Sequence, residues 1–419
     1  MNSSRPENVS WNTHAILTRA SVDPLQISHL SKSVPVLPLE DFLSRARQEL
    51  PGIVKWHEEL LAAKSGLPSE PGSDDRQAWS TEANFLAGLR LNPDHRIHYV
   101  RVLHFDEVPR DAAHDPSREG PPGNAYVPVE LHEPLLAHEV LVTFSDEPDW
   151  GMDQDLFSMN RYGYGSPAFG AWTRTSSQAP FHMAFLHEHP LVLGLLPRLR
   201  RSFLEERVRV FFRLADLAFQ KDVGYWGWRF IAWALHYLQD LTQPYHATPF
   251  PPSLFKILHR FLLDPHPRGF VDRNRNVLVN HHILFEATVH FILNQAAKNR
   301  ADHAFFRALA AGKEVLGGPL FAIMQGSSRT AAKLASRVDR ATVKLFQLPN
   351  LDDAGYVLSE DPGFRIDEAL SAAVTARPEI FVEFSQLVSK CLVHTGAVTR
   401  YVVGKTADRM EGNEGCFPE

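Results

Sequence analysis

Apolar and polar positions follow a helical period along most of the chain. Apolar residues recur three and four apart in PLEDFLSRARQEL (38–50) and GIVKWHEELLAAKSG (52–66), which predicts two consecutive helices. Pro51 opens the second and Gly66 closes it. The same period runs through EPLLAHEVLVTF (133–144), LEERVRVFFRLADLAFQ (204–220), YWGWRFIAWALHYLQDL (225–241), PSLFKILHRFLL (252–263) and NHHILFEATVHFILNQAAK (280–298). It continues in RTAAKLASRVDRATVKLF (329–346), IDEALSAAVTA (366–376) and PEIFVEFSQLVSKCLVHTGAVTRYVV (378–403). No sustained βαβ alternation occurs, so the expected fold is all-α, a multi-helix bundle.

One stretch departs from this period. HRIHYVRVLHF (95–105) alternates like a strand, and NAYVPVEL (124–131) is placed to pair with it across a segment rich in Pro and Gly. The pattern predicts a small β-hairpin insertion over 95–131. GLPSEPGSDD (66–75) and NRYGYGSPAFGAWTRTSSQAP (160–180) have loop composition. No internal repeat interrupts the pattern, and the expectation is one helical domain over 1–419, with residues 291–419 forming a helical C-terminal extension.

Composition narrows the chemistry. With 43 Lys and Arg against 49 Asp and Glu the net charge is −6, so no global basic field recruits nucleic acid or anionic lipid. The two cysteines, Cys391 and Cys416, cannot build a disulfide framework or a cysteine-based zinc site, whereas His is abundant at 21 residues. Any bound metal must therefore rest on His and carboxylates. The first ten residues lack the apolar core of a secretory signal and no run is long enough to span a membrane, so the expectation for the chain as written is a cytoplasmic protein.

The candidate chemistry centres on WALHYLQDLTQPYHATP (233–249). His236 and Asp240 stand four apart, on one helix face, and His282 and Glu286 repeat that step. So many His and acids would give roughly two or three such pairs at random, so the step alone carries no weight. Its surroundings do. Both pairs lie in strongly apolar helices, where an unpaired carboxylate is costly, and only Arg229 is near enough in sequence to neutralise Asp240. Pro244 ends the helix, and the turn after it can return His246 to Asp240. Hydrogen-bonded core histidines would read the same way from these residues alone.

HYLQDLTQPYHA (236–247), followed by HHILFE (281–286) and preceded by WNTHAILTRA (11–20), resembles the zinc-dependent phospholipase C family. That superfamily also holds the single-strand-specific zinc nucleases. The resemblance covers residues 11–290 in order, and its central dozen residues are the specific part. It implies a helical fold with a three-zinc cluster that cleaves phosphate esters. By it, His236 and Asp240 serve one zinc, with Asp240 bridging to a second. His246, His282 and Glu286 hold another, with His281 the competitor of His282, and His14 joins the site bridged by Asp240. The family's midway Asp and His fall most naturally on Asp149, which would also be the catalytic carboxylate, and on His182. Asp146 is the second choice, and Asp153 reads as a cap. His187 and His189 read as a solvated turn. Tyr237, Trp226 and Trp228 read as core more readily than as pocket lining.

The chain also departs from the family. There the Trp is the mature N-terminus and its amine binds zinc; here ten residues precede Trp11. The expectation is two tight zincs and a third, weaker one held by His14, Asp240 and water. Between His246 and His282 lie 35 residues, and about 130 follow His290. Family relatives are commonly secreted, which runs against a cytoplasmic placement.

The resemblance implies a hydroxide held by zinc that attacks phosphorus of a phospholipid or small phosphodiester. A single-strand nuclease or 3′-nucleotidase of the same superfamily is the first alternative, though nucleic acid would need stacking aromatics and a basic track. A non-catalytic helical scaffold with structural zinc is the second. The chain has no paired Glu-x-x-His motifs for a di-iron bundle, no Gly-x-Ser-x-Gly elbow and no phosphate-binding Gly-x4-Gly-Lys loop.

Overall fold

A computed structural model describes residues 13–25, 27–64, 82–91, 97–103, 126–153, 179–188, 190–195, 197–200, 202–249, 251, 270–299, 302–311, 316–353, 355–358, 361 and 363–412. The order of elements opens with α1 (Thr13–Val22), β1 (Ser33–Pro35), α2 (Leu39–Ala46), α3 (Leu50–Lys64) and α4 (Glu82–Gly88). Three strands follow, β2 (Val100–Val102), β3 (Tyr126–Pro128) and β4 (Pro134–Leu136), then α5 (Ala137–Phe144), α6 (Ala179–His182) and α7 (Pro190–Leu195). The centre of the chain supplies α8 (Leu204–Gln220), α9 (Gly224–Asp240) and α10 (Pro244–Ala247). The last elements are α11 (Phe270–Lys298), α12 (Ala304–Ala310), α13 (Leu320–Phe346), α14 (Ile366–Ala376) and α15 (Pro378–Met410). The described chain is mostly helical, as its periodicity requires.

The organising element is α9. Every residue from Tyr225 to Asp240 is buried, as befits a helix apolar on all sides that must be wrapped by others. Helices α8 and α5 pack along it, α15 packs on it as well, and α1 lies against α15 and α5. Trp226, Trp228 and Trp233 fill the core around it, and the Trp226 indole donates to the Leu37 carbonyl oxygen at 2.9 Å. A second apolar core lies among α11 to α15. Helix α15 can approach α12 closely because residue 396 is glycine: a Cβ there would overlap the Leu309 carbonyl oxygen.

The alternating segment pairs as its pattern predicts. Strands β2 and β3 are antiparallel, with Val100 opposite Pro128 and Val102 opposite Tyr126. A second pair had no sequence signal: β1 lies antiparallel to β4, with Ser33 opposite Leu136. This corrects the helix read over 133–144, which begins only at Ala137. Pro134 and two leucines fit the helical period equally well, and tertiary pairing decides the outcome. The helix read at 252–263 and the loops at 66–75 and 160–178 lie outside the described residues. Among the described residues, no helix is long and apolar enough to cross a membrane.

Candidate metal centre

The C-terminal end of α9 is the floor of the site. His236 and Asp240 project from one face a turn apart, both buried. The chain then turns through Thr242 and Gln243 into α10, whose first residue is Pro244. Gln243 caps this short helix, its Oε1 accepting from the backbone amides of Tyr245 and, at 3.3 Å, His246. The turn returns His246 to Asp240, with Nδ1 2.9 Å from Oδ1.

Asp149 arrives on a 3-10 turn, Glu147–Trp150, that is bolted to α9 by Glu147. The Glu147 carboxylate accepts from Arg229 Nε at 2.8 Å, from Arg229 Nη2, and from the Trp233 indole at 2.7 Å. Gly151 ends the turn with φ 95°, a left-handed conformation that other residues adopt only at a cost. Arg229 thus neutralises Glu147, not Asp240 as its position in the helix suggested. His14 enters from α1 and His182 from the end of α6, so four further segments converge on α9 and α10 once α11 is included.

Distances among the ligand atoms suit a divalent cation. Zinc at ~2.0–2.1 Å from each of four ligands sets neighbouring ligand atoms about 3.3 Å apart. His236 Nε2 lies 3.4 Å from Asp240 Oδ2 and 3.6 Å from Asp149 Oδ1. His182 Nδ1 lies 2.9 Å from Asp240 Oδ2, 3.8 Å from Asp149 Oδ1 and 3.1 Å from His236 Nε2. His14 Nε2 lies 3.7 Å from Asp240 Oδ1 and 3.9 Å from Asp149 Oδ2. Two trios suited to a metal emerge here, His14–His236–Asp240 and Asp149–His182–His236. They share His236, whose single inward lone pair can serve one ion. Asp240 is the connecting carboxylate, one oxygen turned to His182 and His236, the other to His14 and His246.

A third trio adjoins them, His246–His282–Glu286. His282 Nε2 is 2.9 Å from Glu286 Oε1, and His246 Nε2 is 3.2 Å from the same oxygen. The Tyr245 ring stacks flat on His282, with centroids 5.3 Å apart. His281, the competitor by sequence, turns the other way and pairs with Asp339 at 2.8 Å.

Outer partners set the histidine tautomers. His236 Nδ1 donates to the Ser145 carbonyl oxygen at 2.7 Å, which turns the Nε2 lone pair toward the site and His182. His14 Nδ1 donates to Gln239 Oε1 at 2.9 Å. Gln239 is oriented in turn, because its Nε2 donates to the hydroxyls of Thr18 and Thr399, each at 3.0 Å. Thr399 gives its own proton to the Thr395 carbonyl oxygen. Asp153, read as a cap, is instead fully buried behind His182, with Oδ2 3.3 Å from His182 Nε2. It is held by Arg207 and by the Tyr237 hydroxyl at 2.6 Å.

These donors fit a cation chemically. The charges that press on Asp149, Asp240 and Glu286 come chiefly from one another and from histidines. Burial pushes the Asp149 carboxyl up to about 6 against the pull of His182 and His14. Burial also opposes the charge on Asp240, but His246 and His236 outweigh it and hold that carboxyl well below the usual range. His246 is likewise disfavoured as a cation by burial, yet Asp240 and Glu286 raise it to about 10. His236 is pushed well below its ordinary value by burial and by His14, as a neutral ligand should be. Three carboxylates buried together need protons or a metal to balance them.

Asp146 is not brought into the cluster. It accepts from the Ala15 amide at 3.1 Å and the Tyr126 hydroxyl at 2.5 Å, fastening α1 and β3 beside the site. Trp226 and Trp228 are core, as read, and Tyr237 serves Asp153. His187, read as solvated, is half-buried and bonds the Ser328 hydroxyl at 2.8 Å. Trp11 and His189 lie outside the described residues. Glu147, Asp153, Gln239 and Gln243 are the contributors that the sequence reading missed; the signal available was an Arg in each of two apolar helices, at 207 and 229. No family model, curated protein or solved structure matches the chain.

Two measurements test this construction. Glu147→Ala leaves Arg229 buried without its carboxylate and should lower unfolding free energy by about 3–5 kcal/mol, read by denaturant titration. A stability loss under 1 kcal/mol would refute the anchoring role. Cation uptake must displace protons held on His246 and His182, whose affinity for protons is raised. Divalent-cation affinity should therefore rise from pH 6 to pH 9, with proton release visible by calorimetry in buffers of different ionisation enthalpy; pH-independent binding would contradict it.

Proposed function

We propose that this chain is a zinc-dependent phosphoester hydrolase of the phospholipase C type, acting on a phospholipid headgroup or a small phosphodiester. The observation that carries the reading is convergence. His14, Asp149, His182, His236, Asp240, His246, His282 and Glu286 come from segments far apart in sequence and lie together in one cluster, buried at His236 and Asp240 and partly open at Asp149 and Glu286. Five imidazoles and three carboxylates without a thiolate suit zinc among the common divalent metals. When bound, zinc supplies Lewis acidity to phosphoryl oxygens and lowers the pKa of a coordinated water toward neutrality.

The chain's own residues support catalysis rather than a sealed structural site. Exposure within the cluster is uneven: the side chains of Asp149, His282 and Glu286 keep 23%, 21% and 29% of their surface, against 0% for His236. The open edge therefore runs past Asp149 to the third trio, and a phosphodiester enters from that side. Asp149 lies at that edge and is the carboxylate placed to accept a proton there. His14 and His182, held by Gln239 and Asp153, keep the ligand atoms in place while charge develops. The net charge of −6 favours a lipid or small phosphodiester over a nucleic-acid strand.

Metal analysis of protein purified without chelator should show at least two zinc per chain. Asp240→Asn should lower turnover of a chromogenic phosphodiester by about 10³-fold or more, as it removes the charge that connects His14, His182, His236 and His246. Unchanged turnover, or a folded metal-free preparation that hydrolyses equally well, would sink the proposal. Phosphatidylcholine, single-stranded DNA and a small phosphodiester compared side by side decide the substrate class.

A further inference from the structure

One side chain touches all three members of the outermost trio. Gln243 caps α10 with Oε1, which fixes the backbone of the turn that carries His246. Because Oε1 faces two backbone N–H groups, Nε2 must be the atom that faces α11. It lies 2.9 Å from Glu286 Oε1 and 2.9 Å from His282 Nε2. Those two atoms are themselves 2.9 Å apart.

This triangle cannot be satisfied on every edge. If His282 Nε2 carries a proton, it bonds Glu286 and faces the Gln243 N–H₂ as donor against donor. If Nε2 is bare, it accepts from Gln243 and turns its lone pair on the Glu286 carboxylate. The bare lone pair is also the one a cation at His246–His282–Glu286 would take, so amide and cation compete for it. Seating zinc there also requires His282 and Glu286 to part from 2.9 Å to about 3.3 Å. The groups that face His14 Nε2 are carboxylates, and its ring partner Gln239 lies on Nδ1, whereas His236 Nε2 faces only the ring of a fellow ligand, His182 Nδ1 at 3.1 Å.

We propose that Gln243 is the loading gate of the His246–His282–Glu286 site. It assembles the three ligands and holds His282 against the cation, so this position fills last and exchanges fastest. The side-chain exposure of His282 and Glu286 gives the leaving ion a path to solvent. The inference rests on the metal-centre reading above and moves the exchangeable ion away from His14, where the sequence resemblance had put it. Gln243 is a positioning residue, not a catalytic one, and the effect is read on metal binding itself.

Gln243→Glu keeps the capping oxygen but replaces the N–H₂ donor with a second oxygen, turning a competitor into a fourth ligand. Zinc affinity at the weakest site, measured against a competing chelator, should rise at least tenfold, and the fastest phase of zinc loss to excess chelator should slow by a similar factor. In the native chain that fast phase should be present, and His282→Ala should abolish it, a check that holds even if the glutamate variant folds poorly. Multiphasic loss with the fast phase intact in His282→Ala would overturn the gate, as would Gln243→Glu binding zinc no more tightly than the native chain. A native chain that binds no zinc would overturn the metal centre itself, and the gate with it.

Discussion

Asp240 sits at the last turn of a helix buried on every side, and its charge has to be matched where water does not reach. The position is doubly unfavourable. A helix C-terminus carries about half a negative charge, which repels a carboxylate placed there, and desolvation adds to the penalty. Four histidines from four segments supply the answer: His236 on the same helix, His14 from α1, His182 from α6 and His246 from α10 beyond the turn. The placement of those segments follows from this need, and a divalent cation meets it more fully than shared protons do. A buried carboxylate matched only by histidines, with a second carboxylate beside it, is costly as a structural device and apt as a metal ligand.

A second tier of charge isolates the first. Glu147 and Asp153 each take an arginine from an apolar helix, Arg229 of α9 and Arg207 of α8. Both pairs are buried, where removal of one partner is far more damaging than the pair is stabilising. Their effect is positional: one fixes the 3-10 turn that presents Asp149, the other fixes the carboxylate behind His182. Strong cations are thereby kept on outer carboxylates, and the inner ones stay free for histidine and metal.

Much of this was readable from residues alone, and the reason is periodicity. Helices α8 and α14 run over the residues that the apolar pattern marks, because each must bury one stripe. The strand pair at 100–102 and 126–128 was readable from alternation. The start of α5 was not, because Pro134–Leu136 fits either period and only its pairing with Ser33–Pro35 chooses the strand. In the site, the eight residues singled out by resemblance do come together, whereas their supports were invisible. Asp153 had no pattern to distinguish a capping acid from a buried one, and nothing local links it to Arg207, 54 residues on. Gln239 and Gln243 look like ordinary polar residues flanking Asp240, since their partners lie on α1, α15 and α11.

The C-terminal extension belongs to the site by the same logic. Thr399 of α15 gives its proton to the Thr395 carbonyl oxygen and so must accept from Gln239 Nε2; that turns Gln239 Oε1 toward His14 Nδ1, and His14 presents its other nitrogen, Nε2, to Asp240. Thr395 in turn meets Thr242 at 2.7 Å, just before the cap that delivers His246. From Thr399 through Gln239 to His14 each hydrogen bond has one allowed direction once the first is set, so which His14 nitrogen is engaged is decided by a threonine on the C-terminal helix. A long C-terminal helix is therefore no appendage to the half of the chain that carries the candidate ligands. It closes the bundle over α9 and settles which nitrogen of His14 is available to a metal.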